Sequence, residues 1–237
     1  MLANKYPTLQ DFASKQVGLS GKIEIIWQPI FDWNIYPTAG VAQILAFQNP
    51  QGQGQSAQPI AAASSKTGAD TNLTQPGQLP APQAFWLDGF EIQVDAGSVA
   101  TANLFAIQSP NQFNATAAVT VQSGEIDVNS ILSSGVFSFT IMQKEYYREG
   151  PLYRIPPRTN LRLDAAIASA GTNAQPNQVG KTKMRAEGMC VRLDPGLGIS
   201  TSANFQAQLT WPALVPTAAN NARIGTFLNG WLFRAAQ

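Results

Sequence analysis

The chain has 237 residues, of which 44% are hydrophobic, 12% are charged and none is histidine. Without histidine, the Ser-His-Asp and Cys-His forms of catalysis and histidine-bearing zinc or iron sites are excluded. A formal net charge of +1 gives no basis for sequence-specific nucleic-acid binding, which needs clustered lysine and arginine. We therefore expect a structural protein with no catalytic residue, cofactor or metal site.

The low charge also predicts self-association. Soluble proteins usually carry about 25% charged residues, so copies of this chain should repel one another weakly. No apolar run approaches the roughly 18 residues that a membrane span needs. The first residues lack the basic start and the apolar run of a secretory signal, and we expect synthesis in a cytoplasm.

Residues 1–21 are predicted to form an N-terminal arm that contains the chain's only helix. Thr8 can cap the start of this helix, Leu9 and Phe12 share one face, and Gly18 ends it. The arm either packs on its own domain or reaches a neighbouring subunit. In the second case Phe12 would make the contact.

Residues 22–237 are predicted to form one β-domain. Short apolar runs alternate with turn residues, and several runs alternate apolar and polar side chains, as in strands with one buried face. No strand–helix–strand rhythm indicates a parallel sheet. The predicted strands are residues 22–29, 32–36, 41–47, 84–94, 100–107, 115–122, 136–143, 160–167, 183–193, 204–211 and 224–234.

Two segments interrupt this pattern, residues 49–82 and residues 171–181. Both are polar and rich in glycine, glutamine or proline, a composition that buries little core. We interpret the longer segment as a loop on the outer surface or a mobile linker between sheets.

Residues 85–92 and 226–233 resemble each other, since both read aromatic, Leu, Asp or Asn, Gly, aromatic. Two related β-modules would explain the similarity. The favoured interpretation is two strands that each carry a glycine bulge, where glycine permits close backbone approach.

Carboxylates are the acid–base groups that remain. If they lay on a strand, their spacing of two would place Glu125 and Asp127 on one face, which is compatible with cleavage of a glycosidic bond. Solvated face residues are the commoner meaning of such a pair. We therefore predict that the chain is not an enzyme and keep a carboxylate-dependent glycosidase as a third hypothesis.

Aromatic side chains favour binding instead. Trp27, Trp33 and Tyr36 lie close together in the sequence, and exposed aromatic rings suit sugars. For Trp27 and Trp86, inside apolar strands, core packing is the favoured interpretation.

Residues 145–160 form the most distinctive segment. Pro151, Pro156 and Pro157 favour an extended backbone and cannot continue a sheet ladder, so we predict a stiff loop. Tyrosine and arginine on such a frame suit a protein interface. The predicted subunit contacts are Phe12, Tyr146, Tyr147, Arg148, Tyr153, Arg154 and Arg158.

In its strand rhythm, in the loops at 49–82 and 145–160 and in the apolar strand at 227–233, the chain resembles the jelly-roll major capsid proteins of icosahedral bacteriophages that are tail-less or contain a membrane. The resemblance implies an all-β fold, an antiparallel jelly-roll β-sandwich, with a compact double jelly roll as the alternative. It implies a repeating shell subunit of the virion that assembles with copies of itself, as a trimer or higher oligomer. Other virion proteins and an internal membrane are further implied partners. A phage spike or fibre head, or a carbohydrate-binding β-sandwich, is the second hypothesis.

Overall fold

The computed structural model describes Pro7 and residues 22–57, 65–95, 119–157, 160–167, 178–185, 190–217 and 221–236. The fold of these ranges is mostly β, with one α-helix and a short 3-10 helix at Leu152–Arg154. No helix within them is long and apolar enough to cross a membrane. The elements are β1 (Ile23–Trp27), β2 (Ile30–Tyr36), β3 (Gln43–Ala46), β4 (Gln83–Asp95), α1 (Val119–Ser134), β5 (Val136–Ile141), β6 (Lys144–Glu149), β7 (Asn160–Ile167), β8 (Gln178–Arg185), β9 (Val191–Ile199), β10 (Phe205–Thr210) and β11 (Ala222–Ala235).

Two antiparallel sheets share one hydrophobic core, as in a β-sandwich. The first sheet has the order β1-β11-β4-β9, and β2 pairs with the other end of β11. The second sheet has the order β3-β10-β5-β6, while β7 and β8 form a separate pair. The prediction of an antiparallel β-sandwich is confirmed at this level.

The strand pairs that build these sheets are nested in the sequence. β2 pairs with β11, β3 with β10, β4 with β9 and β5 with β6. These eight of the described strands therefore follow the path of one long two-stranded ribbon, in which each successive pair lies inside the previous one, while β1 and the β7–β8 pair stand outside it. Pairing of β11 with β4 and of β10 with β5 then joins the folded ribbon into two sheets.

Alternation within the strands places the core between the sheets. In β5, Phe137, Phe139 and Ile141 are buried, and the residues between them are half-buried. The ring of Phe90 in β4 lies 4.9 Å from that of Phe137 and 5.1 Å from that of Phe139, centroid to centroid. The period-two pattern of the sequence therefore identified this interface.

Helix α1 contradicts two predictions. Residues 119–122 of the predicted strand 115–122 are helical, and the N-terminal arm is not the chain's only helix. The β-branched start of α1 favours a strand by local propensity. Val128, Ile131 and Leu132 have the helical spacing that lets them pack against the core, and this tertiary burial outweighs the propensity.

The glutamine- and proline-rich segment 49–82 packs into the sandwich in its described part, against the prediction of a surface loop or mobile linker. Leu73 and Leu79 are buried in the core. The Lys66 ammonium lies 2.6 Å from the Asp32 carboxylate of β2, and both side chains are almost completely buried. A few buried residues thus hold the segment against the sandwich although its composition is mostly polar.

Strand boundaries differ from prediction in two further places. Residues 145–149, predicted as part of a stiff loop, belong to β6, and residues 178–181, predicted as loop, belong to β8. The predicted strand 183–193 is split between β8 and β9. The predicted strand 100–107 and the helix of the N-terminal arm lie outside the described residues.

The two similar segments around Gly89 and Gly230 are neighbours in the first sheet. Asn229 pairs with Gly89 and Gly230 pairs with Leu87, so the register shifts at the glycines and leaves Asp88 as an extra residue. This arrangement confirms the interpretation as strands with a glycine bulge.

Candidate subunit interface

β6 lies at the edge of the second sheet and carries a bulge. Phe139 of β5 is opposite Tyr147, but the next residue, Thr140, is opposite Glu145. Tyr146 is therefore an extra residue on β6, and Glu145 and Arg148 point to the same face although they are three positions apart.

Arg148 and Glu145 use this geometry to form a two-pronged ion pair. The Arg148 Nε donates to both Glu145 carboxylate oxygens at 3.1 and 3.2 Å, and Nη2 donates to Oε2 at 2.7 Å. The hydrogen bonds to Glu145 raise the pKa of Arg148 above its ordinary value. Since both side chains are exposed to solvent, the pair adds little to fold stability and remains accessible to a partner.

Tyr146 is 44% exposed, and the Lys144 ammonium lies 5.0 Å from the centre of its ring. Met142, in the turn between β5 and β6, is 68% exposed. This end of the sheet edge therefore exposes a tyrosine ring and a methionine thioether, two side-chain types that are enriched at protein interfaces.

Tyr147 points the other way and belongs partly to the core. Its ring lies 4.9 Å from that of Phe90 and 6.1 Å from that of Phe137, centroid to centroid. Its hydroxyl donates to Glu149 at 3.5 Å. Burial, and then the charge of Glu149, raise the pKa of Tyr147, so the phenol stays neutral at physiological pH.

The 3-10 helix after β6 adds the remaining polar contacts. Leu152 is fully buried and anchors the turn, whereas Tyr153 is 59% exposed. The Arg154 Nε lies 3.1 Å from Glu149 Oε1, so Glu149 joins the end of β6 to the turn.

Five of the predicted contact residues thus lie on β6 or the turn that follows it, and Phe12 and Arg158 lie outside the described residues. The sequence interleaves the acidic residues Glu145 and Glu149 with these arginines, a pattern that suits solvated strand faces or salt bridges between subunits, but neither acid is among the predicted contacts. In the structure the two acids pair with Arg148 and Arg154 of the same chain.

A second surface lies on the outer side of the first sheet. Trp231 of β11 is flanked by Trp27 of β1 and Trp86 of β4, so three tryptophans form a row across three strands. Trp231 meets Trp27 edge-on at 5.1 Å between ring centroids, and its Nε1 donates to Asp88 at 2.9 Å. Burial raises the pKa of Asp88 even though this hydrogen bond opposes the shift.

This row changes two predictions about aromatic residues. Trp27 is 38% exposed rather than a core residue, and Trp86 is half-buried. Trp33 and Tyr36 are buried and lie on opposite faces of β2, so they form no exposed platform with Trp27.

The hypothetical glycosidase pair does not have the expected geometry. Glu125 and Asp127 belong to the helix α1 and not to a strand, so the two-residue alternation on which the pair was based does not apply. Asp127 is buried rather than solvated. Among the described residues, no cluster of acidic residues and cysteine could hold a metal ion.

Comparison of the chain with protein-family models, with curated proteins and with solved structures finds no match in any of the three.

Proposed function

We propose that this chain is a structural protein of a virion, the repeating subunit of a capsid shell, which assembles with copies of itself. The observation that carries the proposal is the nested strand pairing. The tyrosine- and arginine-bearing edge of the second sheet gives it a site of contact.

The nested pairing supports a single jelly roll. In that fold, eight strands form two interlocked Greek keys, which serve in viral shells and in lectins. β2, β3, β4 and β5 would be the first four strands and β6, β9, β10 and β11 the last four, with β7 and β8 as an inserted hairpin. One set of eight strands accounts for both sheets apart from β1, which adds a fifth strand at the edge of the first sheet. We therefore favour this arrangement over the double jelly roll.

The chemistry of the β6 edge supports self-association. Tyr146, Arg148, Tyr153 and Arg154 are exposed, and tyrosine and arginine carry much of the binding energy at protein interfaces. With a net charge of +1, whole copies of the chain repel one another little. In a shell, contacts that are individually weak become stable because each subunit makes several of them.

The proposal places the chain in the virion, after synthesis in a host cytoplasm, within trimers or higher oligomers. Other virion proteins are proposed partners, and an internal membrane is a further one.

Electron microscopy of the purified protein tests the proposal. The wild type should form rings, sheets or closed shells at high concentration, whereas Tyr146→Ala and Arg154→Ala should remain folded and assemble poorly. Leu214→Ala is the matched control, because Leu214 is 61% exposed and lies away from β6 in the sequence. Tyr147→Ala is unsuitable, since its ring packs on Phe90. Dispersed monomers of the wild type under all conditions would contradict the proposal.

The tryptophan row supports a second candidate function, a carbohydrate-binding sandwich or spike head. A row of three indoles beside the Asp88 carboxylate is a suitable surface for a sugar ring. In this case glycans should quench tryptophan fluorescence, and Trp27→Ala should abolish the effect. Glycan binding without assembly would favour this candidate over the shell subunit.

A further inference from the structure

β6 gives the second sheet an open edge. Its sequence is Lys-Glu-Tyr-Tyr-Arg-Glu, from Lys144 to Glu149. One side of the strand is bonded to β5, and no strand in the described ranges pairs with the other side. Such an edge presents unpaired N–H and C=O groups that a further strand can bind. The side chains determine which strand fits.

We propose that β6 pairs with β6 of a second copy, antiparallel and across a two-fold axis, so that two four-stranded sheets become one sheet of eight strands. The inference deepens the proposed function, on which it rests for its biological role, by naming a contact between subunits. Pairing in solution does not require a complete shell.

The order of charges along β6 is complementary to its own reverse. Because Tyr146 is the extra residue of the bulge, five residues occupy paired positions. In the two-fold arrangement Lys144 faces Glu149 of the second copy, and Glu145 faces Arg148. Tyr147 faces its own copy on the axis. Each pair is either oppositely charged or aromatic, and such pairs stabilise neighbouring strands.

The bulge makes this register possible. Residues opposite each other in a sheet must point to the same face, and a regular strand would send residues 144 and 149 to opposite faces. Here Lys144 is opposite Ile141 and Glu149 is opposite Phe137, two core-facing residues of β5. Both side chains therefore point to the same face. Without the extra residue at Tyr146, the charges could not be matched.

Other two-fold registers are unfavourable. A shift in one direction places Glu145 opposite Glu145 of the second copy, and a shift in the other direction places Arg148 opposite Arg148. Like charges directly opposite each other destabilise a strand pair. Charges that normally protect an edge strand against pairing therefore permit one register and disfavour its neighbours.

Sedimentation velocity with charge-reversed variants tests the inference. Glu145→Arg and Arg148→Glu each place like charges in both symmetry-related Glu145–Arg148 positions. Each variant alone should therefore dimerise at least about tenfold more weakly than the wild type. In an equimolar mixture of the two variants, the opposed residues again have opposite signs, so dimers should return. The Glu145–Arg148 ion pair within each chain stays broken in the mixture. If its loss weakened dimerisation by disturbing the fold, mixing the variants would therefore not restore the dimers.

Glu24→Arg is the matched control, because Glu24 forms an exposed ion pair with Arg234 in the first sheet. This variant should dimerise like the wild type. The inference is wrong if the wild type stays monomeric, if Glu145→Arg dimerises normally, or if the mixture does not recover. If Glu145→Arg forms shells as well as the wild type, the proposed function stands and this contact is wrong. If the wild type forms dimers but never larger assemblies, the contact stands and the proposed function is wrong.

Discussion

Asp32 lies on the core-facing side of β2, on the same face as Ile30 and Tyr36. Its carboxylate accepts hydrogen bonds from the Phe47 backbone N–H at 2.8 Å and from the Lys66 ammonium at 2.6 Å. Burial raises the pKa of Asp32 although the Lys66 charge opposes the shift. A carboxylate at this position is therefore tolerated because Lys66 and the backbone compensate its loss of hydration.

Lys66→Met should lower the free energy of unfolding at neutral pH by about 3–5 kcal/mol, because it leaves the Asp32 charge buried without its counter-ion. Denaturation in urea measures the change. Since the pKa of Asp32 in the folded state is already raised and loss of Lys66 raises it further, the folded state binds a proton more readily than the unfolded state. The variant should therefore regain stability as the pH falls and lose it as the pH rises.

The double variant Asp32→Asn/Lys66→Met is the control for this pair. It removes the uncompensated charge, so it should be more stable at neutral pH than Lys66→Met. Its free energy of unfolding should not rise as the pH falls. If both variants are equally unstable, the effect of Lys66 is packing rather than charge.

At the scale of elements, β4 and β11 form the long central pair of the first sheet. A Cβ atom added at Gly230 would collide with the carbonyl oxygen of Trp86 and with the ring of Phe85. The backbones of the two strands approach closely here, next to the bulge at Asp88.

Gly230→Ala should therefore lower the free energy of unfolding by about 3 kcal/mol, at the upper end of the usual overpacking cost, because backbone atoms must move. Thermal and urea denaturation measure it. Gly68→Ala is the matched control, since the nearest atom to its added Cβ would be 3.6 Å away, and its stability should stay close to that of the wild type. Similar stability of both variants would show that the strands can separate at little cost.

Elements with regular alternation were predictable from the sequence. β5 and β10 bury every second residue, and both lie within the predicted strands. The alternating pattern of β4 did not predict that its other face is buried too, with Glu91 and Asp95 on it. Asn229 donates to Glu91 and Arg223 pairs with Asp95, and these partners are distant in sequence.

The errors occurred where non-local contacts decide the structure. α1 begins with β-branched residues and is helical because its later apolar residues pack on the core. β6 lacks apolar alternation, so its charged residues and the following prolines indicated a loop. For the candidate interface, the residue types were predictable, but the bulge that orients them depends on pairing with β5.

At the scale of the whole molecule, one core connects the two sheets. Tyr36 of β2 meets Trp211, which follows β10, edge-on at 5.1 Å between ring centroids. Trp211 also donates to the carbonyl of Ile131 in α1 at 3.0 Å, and the Tyr36 hydroxyl donates to the Val215 carbonyl at 2.7 Å. Strands from both sheets and the helix therefore depend on the same buried residues.

The chain should accordingly unfold in a single transition. Far-ultraviolet circular dichroism, which reports the strands, and tryptophan fluorescence, which reports Trp211 among others, should give the same midpoint in urea. The measurement should use Glu145→Arg at low concentration, so that assembly does not contribute. Two separate midpoints would mean that the sheets fold independently and would contradict a single β-domain over residues 22–237.

The contact between Lys66 and Asp32 also links the evolution of two distant parts of the gene. The connection between β3 and β4 has the polar composition of a loop that could be shortened. It nevertheless contains Lys66, whose ammonium compensates the buried charge of Asp32 in β2. A lineage that shortens this connection can keep the fold only by replacing the acid at position 32 or by supplying another cation. Changes in the length of the connection and changes of the residue at position 32 should therefore occur together in evolution.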